Sequence, residues 1–403
     1  MRAKWTETTL GEVASLGNGG TWGADEPGDG LVAASCLRGT DLADLIDGQQ
    51  PTAPVRWLKE SELTKARCVE NMILIETSGS KCGRSVLLTK KMLDVFARPV
   101  VFSNFCRTLR IELEKLMNKY AELWFSHAYA TGLIPSYRAT SAMPNLDIKS
   151  LLRIEKILIP PLSEQKRIVD VVKSVDTYIA AAQQQAADAR AARNAVLHEL
   201  LTTSGADWTE TTLGELVDIQ KGKKPPVLVD ISTIGQPYLT ADVLRGSAPS
   251  QFVPQYELTA CVQLQGKETI LLWDGAGAGD AFRSTAGVLA STMARLSIKS
   301  ISSISAEYLY LVVINASPAI KSSCRGTTVP HVSPDALTAL PLRLPPLSEQ
   351  NRIVETVSAM DDAIRSTEQV VCDAQRLRSG LLSDLLSGDH EIPESYDRLL
   401  GAA

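Results

Sequence analysis

An internal duplication constrains this chain more than any other feature. Trp5-Thr6-Glu7-Thr8-Thr9-Leu10-Gly11-Glu12 recurs as Trp208-Thr209-Glu210-Thr211-Thr212-Leu213-Gly214-Glu215, 203 positions later. Pro160-Pro161-Leu162-Ser163-Glu164-Gln165 recurs as Pro345-Pro346-Leu347-Ser348-Glu349-Gln350, 185 positions later. The offsets differ by 18, so the second block between the motifs is 18 residues shorter than the first. A repeat whose ends match and whose middles diverge is one structural unit used twice with different inserts. The order is block, helix, block, helix. The boundaries expected are 1–159, 160–204, 205–344 and 345–388, with a tail at 389–403. Weaker echoes survive inside the blocks. Met72–Gly79 resembles Thr269–Ala276, each an apolar strand running into a glycine turn. Asn118–Ala130 and Ala306–Ala316 read as short helices, and Arg138-Ala139-Thr140-Ser141 echoes Arg325-Gly326-Thr327-Thr328.

Pro-Pro-Leu-Ser-Glu-Gln reads as a helix start. The prolines end what precedes them, Ser163 or Ser348 can cap free amides, and Glu164 or Glu349 meets the positive end of the helix dipole. Apolar residues then step by four and three, with Ile168, Val172, Val175 and Ile179 in one copy and Ile353, Val357, Met360 and Ile364 in the other. The register is the same at offset 185, down to Arg193 and Arg378 at one seam position. Such a seam over four to five heptads is a coiled-coil pattern. Antiparallel pairing, with paired numbers summing to 553, sets Ile168 against Leu385, Leu200 against Ile353, and Ile179 against Ala374. It also sets Arg193 against Met360 and Arg378 against Val175, whereas parallel pairing would stack the two arginines. The fold class expected is α+β: two mixed α/β domains separated by an antiparallel coiled coil of two long helices, pseudo-twofold symmetric.

Composition narrows the function. Of 403 residues 44% are apolar, and no window approaches the ~18 apolar residues a membrane span requires. The N-terminus has no apolar core of a secretory signal, so a cytoplasmic, non-membrane protein is expected. Seven cysteines without Cys-x-x-Cys spacing and four scattered histidines give no metal or disulfide framework. The net charge of −5 counts against nucleic-acid binding, but it is a sum over the whole chain. Between Thr77 and Ile111 the basic residues are Lys81, Arg84, Lys90, Lys91, Arg98, Arg107 and Arg110, against one acid, Asp94. Lys221, Lys223 and Lys224 form a second basic cluster. Asp274–Gly279 superficially resembles a nucleotide-binding loop, but it aligns with the strand-turn of the first block rather than with a βαβ start.

Two variable blocks, each ending in Pro-Pro-Leu-Ser-Glu-Gln and a long helix, resemble the specificity (S) subunit of Type I restriction-modification systems, the HsdS family. The likeness covers essentially the whole chain and is carried by Trp5–Glu12 with Trp208–Glu215, Leu158–Val169 with Leu344–Val354, and the strand-turn Ile73–Gly83. The resemblance implies two target-recognition domains, each reading half of a bipartite, asymmetric site in double-stranded DNA. The helical spacer would set the number of unread base pairs between the halves. It further implies two copies of a modification methyltransferase subunit that methylates adenine with S-adenosylmethionine. Restriction (helicase-nuclease) subunits would add ATP- and magnesium-dependent cleavage, the whole serving anti-phage defence. The chain itself would be non-catalytic and hold no cofactor, and it carries no Asn-Pro-Pro-Tyr motif and no Walker A loop.

DNA binding would combine phosphate contacts, which position, with base-edge contacts, which specify. Lys81, Arg84, Lys221, Lys223 and Lys224 fall on glycine- or proline-bearing turns and suit phosphates. Candidate base readers are Arg38, Ser78, Asn104, Tyr137 and Arg138 in the first block, and Arg245, Asp274, Arg283, Arg325, Thr327 and His331 in the second. Arginine can fork onto guanine and asparagine can pair with adenine. Arg138 and Arg325 stand out because they hold similar places in dissimilar surroundings. Two other readings share the sequence features. In one the chain serves a fused restriction-methylation enzyme. In the other it is a coiled-coil adaptor whose blocks bind proteins, against which the local basic clusters argue.

Overall fold

The two blocks begin with the same short strand for the same reason: Thr-Glu-Thr-Thr is rich in β-branched residues. In the computed structural model, which describes residues 5–140, 144–203, 205, 207–230, 235–300, 303–326 and 329–400, the first block holds strands β1 (Thr6–Thr9), β2 (Ala14–Gly19), β3 (Leu31–Leu37), β4 (Val55–Lys59), β5 (Ile73–Glu76), β6 (Ser85–Leu87), β7 (Val100–Phe102), β8 (Cys106–Ile111) and β9 (Lys156–Ile159). Its helices are α1 (Gly39–Ile46), α2 (Glu60–Ala66), α3 (Lys90–Leu93), α4 (Asn118–Ala130) and α5 (Ile148–Ile154), followed by the long α6 (Leu162–Thr202). The second block follows with β10 (Thr209–Thr212), β11 (Val217–Lys221), β12 (Gly235–Leu239), β13 (Phe252–Pro254), β14 (Gln263–Gln265), β15 (Thr269–Leu272), β16 (Ala281–Arg283), β17 (Ala286–Leu289), β18 (Met293–Ile298) and β19 (Pro341–Leu344). Its helices are α7 (Leu213–Leu216), α8 (Ala241–Leu244), α9 (Ala306–Ser322) and α10 (Pro334–Thr338), then the long α11 (Leu347–Ser387) and a terminal turn α12 (Tyr396–Leu400). The second mid-block helix continues past the expected Ala316 through Pro318 to Ser322. No described helix is long and apolar enough to cross a membrane.

Two compact units divide the chain, and neither is a continuous stretch. One comprises 1–181 with 371–403, the other 182–370. Each unit therefore takes half of α6 and half of α11. The sheets repeat between units: β1–β9, β2–β8–β5–β6 and β4–β3–β7 in the first, β10–β19, β11–β18–β15–β16 and β13–β12–β17–β14 in the second. The central strand explains its own continuous apolar run. In β5, Ile73 and Ile75 face one core and Leu74 faces another. In β15, Leu271 faces one core while Ile270 and Leu272 face another.

The long helices run antiparallel within each unit. In the first, Ile168 and Val172 share a core with Leu382, Leu385 and Leu386. In the second, Leu197 shares a core with Ile353 and Val357. Ile179 and Ile364 are buried, and Val175 and Met360 half-buried. The seam arginines reach one residue beyond the apolar partners that the sum of 553 assigns. Arg193 forks onto Asp361 at 2.8 and 2.9 Å, and Arg378 pairs with Asp176. A long charged side chain at a seam keeps its stem in the core and carries its guanidinium to the rim.

The helix starts differ from the capping expected. Both helices begin at the leucine, so Ser163 and Ser348 lie inside the first turn. The Pro161 and Pro346 carbonyls accept from the Gln165 and Gln350 amides at 2.9 and 3.0 Å. The repeated glutamine has a clear task. Gln165 Nε2 donates to the Pro160 and Lys115 carbonyls and its Oε1 accepts from the Met117 amide. Gln350 makes the same three bonds, to Pro345, Ser303 and Ser305. Both side chains are 0% exposed, so each motif clips a helix to its block through a satisfied amide.

The repeated glutamate fares differently in the two units. Glu164 is buried and accepts from the Trp5 indole at 3.0 Å. The tail lies over it, with Ile392 against the core and Asp397 bonded to Arg167 at 3.1 Å. Glu349 instead holds Arg352 on the surface. Burial raises the Glu164 carboxyl above its ordinary value, with the Trp5 bond opposing it in part. Between the ordinary and raised values the folded chain binds a proton that the unfolded chain does not, so stability falls as pH rises through that window. Glu164→Gln is thus expected to raise the melting temperature at pH 7, and the gain should vanish below about pH 4, the ordinary glutamate range. A gain that persists unchanged at about pH 3.5, below that range, would contradict this origin.

Candidate nucleic-acid interface

A turn follows the central strand in each unit and is built the same way twice. Gly79 and Gly83 have φ of +117° and +99°, and Gly275 and Gly279 of +116° and +95°. Side-chain-bearing residues rarely adopt such angles, which is why glycine stands at both ends of both turns. The Cys82 amide bonds the Gly79 carbonyl and the Ala278 amide the Gly275 carbonyl. The Gly83 amide returns to Glu76 and the Gly279 amide to Leu272. One side of the turn is held by the loop before the last strand of the central pair: Thr77 and Ser78 donate to Phe105, and Trp273 and Asp274 donate to Thr292. The other side is held by a short extended segment. Gly79 donates to Pro144 and Leu146 to Thr77, while Gly275 donates to Pro330 and Val332 to Trp273.

This frame brings part of the expected site together. In the first unit Ser78 lies opposite Asn145, and Arg138 pairs across from Leu146. Arg138 Nε donates to the Cys82 carbonyl at 2.8 Å, and its guanidinium sits over the Tyr129 ring. Lys81 is exposed on the turn, and Asn104 is exposed beside Phe105. In the second unit Asp274 and Arg325 both lie opposite His331. Lys221 bonds Asp274 at 2.7 Å, with its ammonium near the face of Trp273. Arg325 and His331 are exposed, as are Lys223 and Lys224, neither of which has an ion-pair partner among the described residues. Thr327 lies outside the described residues.

Other expected residues are committed elsewhere. Arg84 does not project from its turn. It folds inward onto Glu76 at 2.9 Å and onto the Gly39 carbonyl at 2.9 Å, because an end-of-strand carboxylate that is 5% exposed needs a cation. Arg38 forks onto buried Asp41 at the start of α1. The Tyr137 hydroxyl bonds Glu155, which raises its pKa. Arg283 reaches Glu307 on α9 at 2.8 Å. Arg245 pairs with Asp280 at 2.7 Å, and Lys321 joins them. Burial alone would raise the Asp280 carboxyl, but these two cations more than offset it and hold it below the usual range.

One residue of the frame is absent from the sequence-based set. Asn145 occupies the place of His331. The signal was present: Pro144-Asn145-Leu146-Asp147 and Pro330-His331-Val332-Ser333 share a proline, an apolar residue and a helix cap. Asp147 accepts from Ser150 at the head of α5, and Ser333 from Ala336 at the head of α10.

The family model of the Type I restriction modification DNA specificity domain matches residues 3–188 and 205–371. The chain is 31% identical over 204 residues to the Type I restriction enzyme MjaVIII specificity subunit of Methanocaldococcus jannaschii, a match covering 47% of each. It thus spans about half the length of that curated relative. A solved structure reported for complex assembly and conformational transition of the type I R-M system shares the fold: the TM-score is 0.61 at 17% identity, over 96% of this chain and 98% of the other. The S subunit of the M. genitalium Type I restriction-modification system aligns over 96% of each chain with a TM-score of 0.49 and 16% identity. Two family-model matches covering most of the sequence, one on each repeat, mean that the chain belongs to the Type I restriction-modification specificity subunit family.

Proposed function

We propose that this chain is the DNA-recognition subunit of a Type I restriction-modification complex and that each unit reads one half of a bipartite, asymmetric site. The observation that carries the reading is one backbone frame presenting different side chains twice. Ser78 opposite Asn145 in the first unit corresponds to Asp274 opposite His331 in the second, and an arginine lies beside each pair, Arg138 across from Leu146 and Arg325 across from His331. A shared frame with unlike readers suits two unlike half-sites. Lys81 on the first turn, and Lys221, Lys223 and Lys224 beside the second, supply cations for phosphates that fix register without specifying sequence. Arg325 and Arg138 supply guanidinium forks for base edges. If both halves are read from one side of the duplex, their centres fall about 10 base pairs apart.

The helix starts and helices repeat in sequence and in their glutamine clips, which suits two copies of an adenine methyltransferase subunit. Restriction subunits complete the complex. S-adenosylmethionine, ATP and magnesium belong to those partners, and this chain binds and positions without performing chemistry, in the cytoplasm. Methylome sequencing of cells expressing the chain with its modification partner tests the reading. A split motif with unlike halves and an adenine in each is expected. Arg325→Ala should relax or erase one half only, and equal loss in both halves would refute the division of labour.

A further inference from the structure

We propose that Asn145 and His331 are corresponding base-reading positions, one per half-site, and that the side chain there decides which base is accepted. This rests on the DNA-reading role proposed above. The backbone at both positions is fixed from both sides. The preceding proline carbonyl accepts from Gly79 or Gly275, and the following amide donates to Thr77 or Trp273. The next side chains, Leu146 at 7% exposure and Val332 at 0%, point into the cores. Successive side chains of an extended segment alternate, so Asn145 and His331 point outward. Asp147 and Ser333 then anchor the segment to helices α5 and α10.

Rigid presentation with a free side chain distinguishes this pair from Arg138 and Asp274. Arg138 is tied to the Cys82 carbonyl, and Asp274 to Lys221. Asn145 and His331 are exposed in both units, and among the described residues neither side chain has a hydrogen-bond partner. Such a group can spend its full bonding capacity on a ligand without breaking a bond of the fold. The chemistry differs between the two. An asparagine amide sets a donor beside an acceptor, which matches adenine N6 and N7 in the major groove, whereas a neutral imidazole offers one donor and one acceptor on opposite edges of its ring.

Selection on a randomised duplex DNA library by the purified complex of this chain with its modification subunit tests the idea. Wild type is expected to enrich two separated, unlike half-sites. Asn145→Ala should lose about 10- to 100-fold of discrimination at one base pair of one half. His331→Ala should do so at one base pair of the other half. Asn145→His should change the preferred base rather than erase the preference. Melting temperatures should be unchanged, since neither side chain bonds to another described residue. Variants that keep the wild-type preferences, or that weaken binding to all sequences alike, would overturn the assignment. A wild-type complex that enriches no sequence would instead remove the DNA-reading role itself.

Discussion

Val172→Asp is expected to unfold the first unit, and Val357→Asp the second. The two valines stand 185 positions apart in the repeat, and each is 1% exposed. Val172 packs in the core that joins Ile168 on α6 to Leu382 and Leu385 on α11. Val357 packs in the core that joins Ile353 on α11 to Leu197 on α6. Both clusters are made of apolar side chains. A carboxylate placed among them loses its hydration, a loss of about 4 kcal/mol or more. Each core also includes residues of its block, so helix pairing and block folding should fail together. Amide hydrogen exchange reads this directly: protection should collapse across the strands of the substituted unit. Unchanged protection in β5 of Val172→Asp, or in β15 of Val357→Asp, would show that the helices do not hold the blocks together.

Glu76→Ala is expected to be nearly as severe. The substitution leaves Arg84, whose side chain is 16% exposed, without its carboxylate, and opens space beside Gly39. Breaking one side of a buried ion pair costs about 3–5 kcal/mol. The second unit shows the alternative. Leu272 makes the backbone bonds that Glu76 makes, and Asp280 those of Arg84. The double substitution Glu76→Leu with Arg84→Met should therefore recover most of the loss, because no charge remains stranded. Denaturant unfolding of the two variants decides the matter. A double variant no better than Glu76→Ala would mean that the ion pair, and not its desolvation, sustains the turn.

Much of the scaffold was legible in the residues. The heptad steps and the avoidance of stacked arginines gave antiparallel pairing, because apolar periodicity is set by helix geometry alone. The glycine turn after the apolar strand was visible for the same reason, since a positive φ selects glycine. Side-chain destinations were less legible. A turn sequence does not distinguish one basic residue from the next: Lys81 stays exposed while Arg84 folds onto Glu76. Arg245 and Arg283 look available in the sequence because their partners, Asp280 and Glu307, lie 35 and 24 positions away. Asn145 was missed because its counterpart His331 matches it in backbone bonding and not in letter.

By itself the sequence determined that one scaffold is used twice. The offset of 185 separates Arg193 from Arg378, and it also separates Asp176 from Asp361. Once the helices pair antiparallel, a repeat of this kind makes the same ion pair in each unit, Arg193 with Asp361 and Arg378 with Asp176. Only the tertiary structure decided what surrounds identical letters. Glu164 and Glu349 sit in the same six-residue motif. The tail that follows α11 covers Glu164, while Glu349 remains at the surface with Arg352. A local motif fixes backbone geometry, but the environment of a charge depends on whatever segment the rest of the chain lays over it.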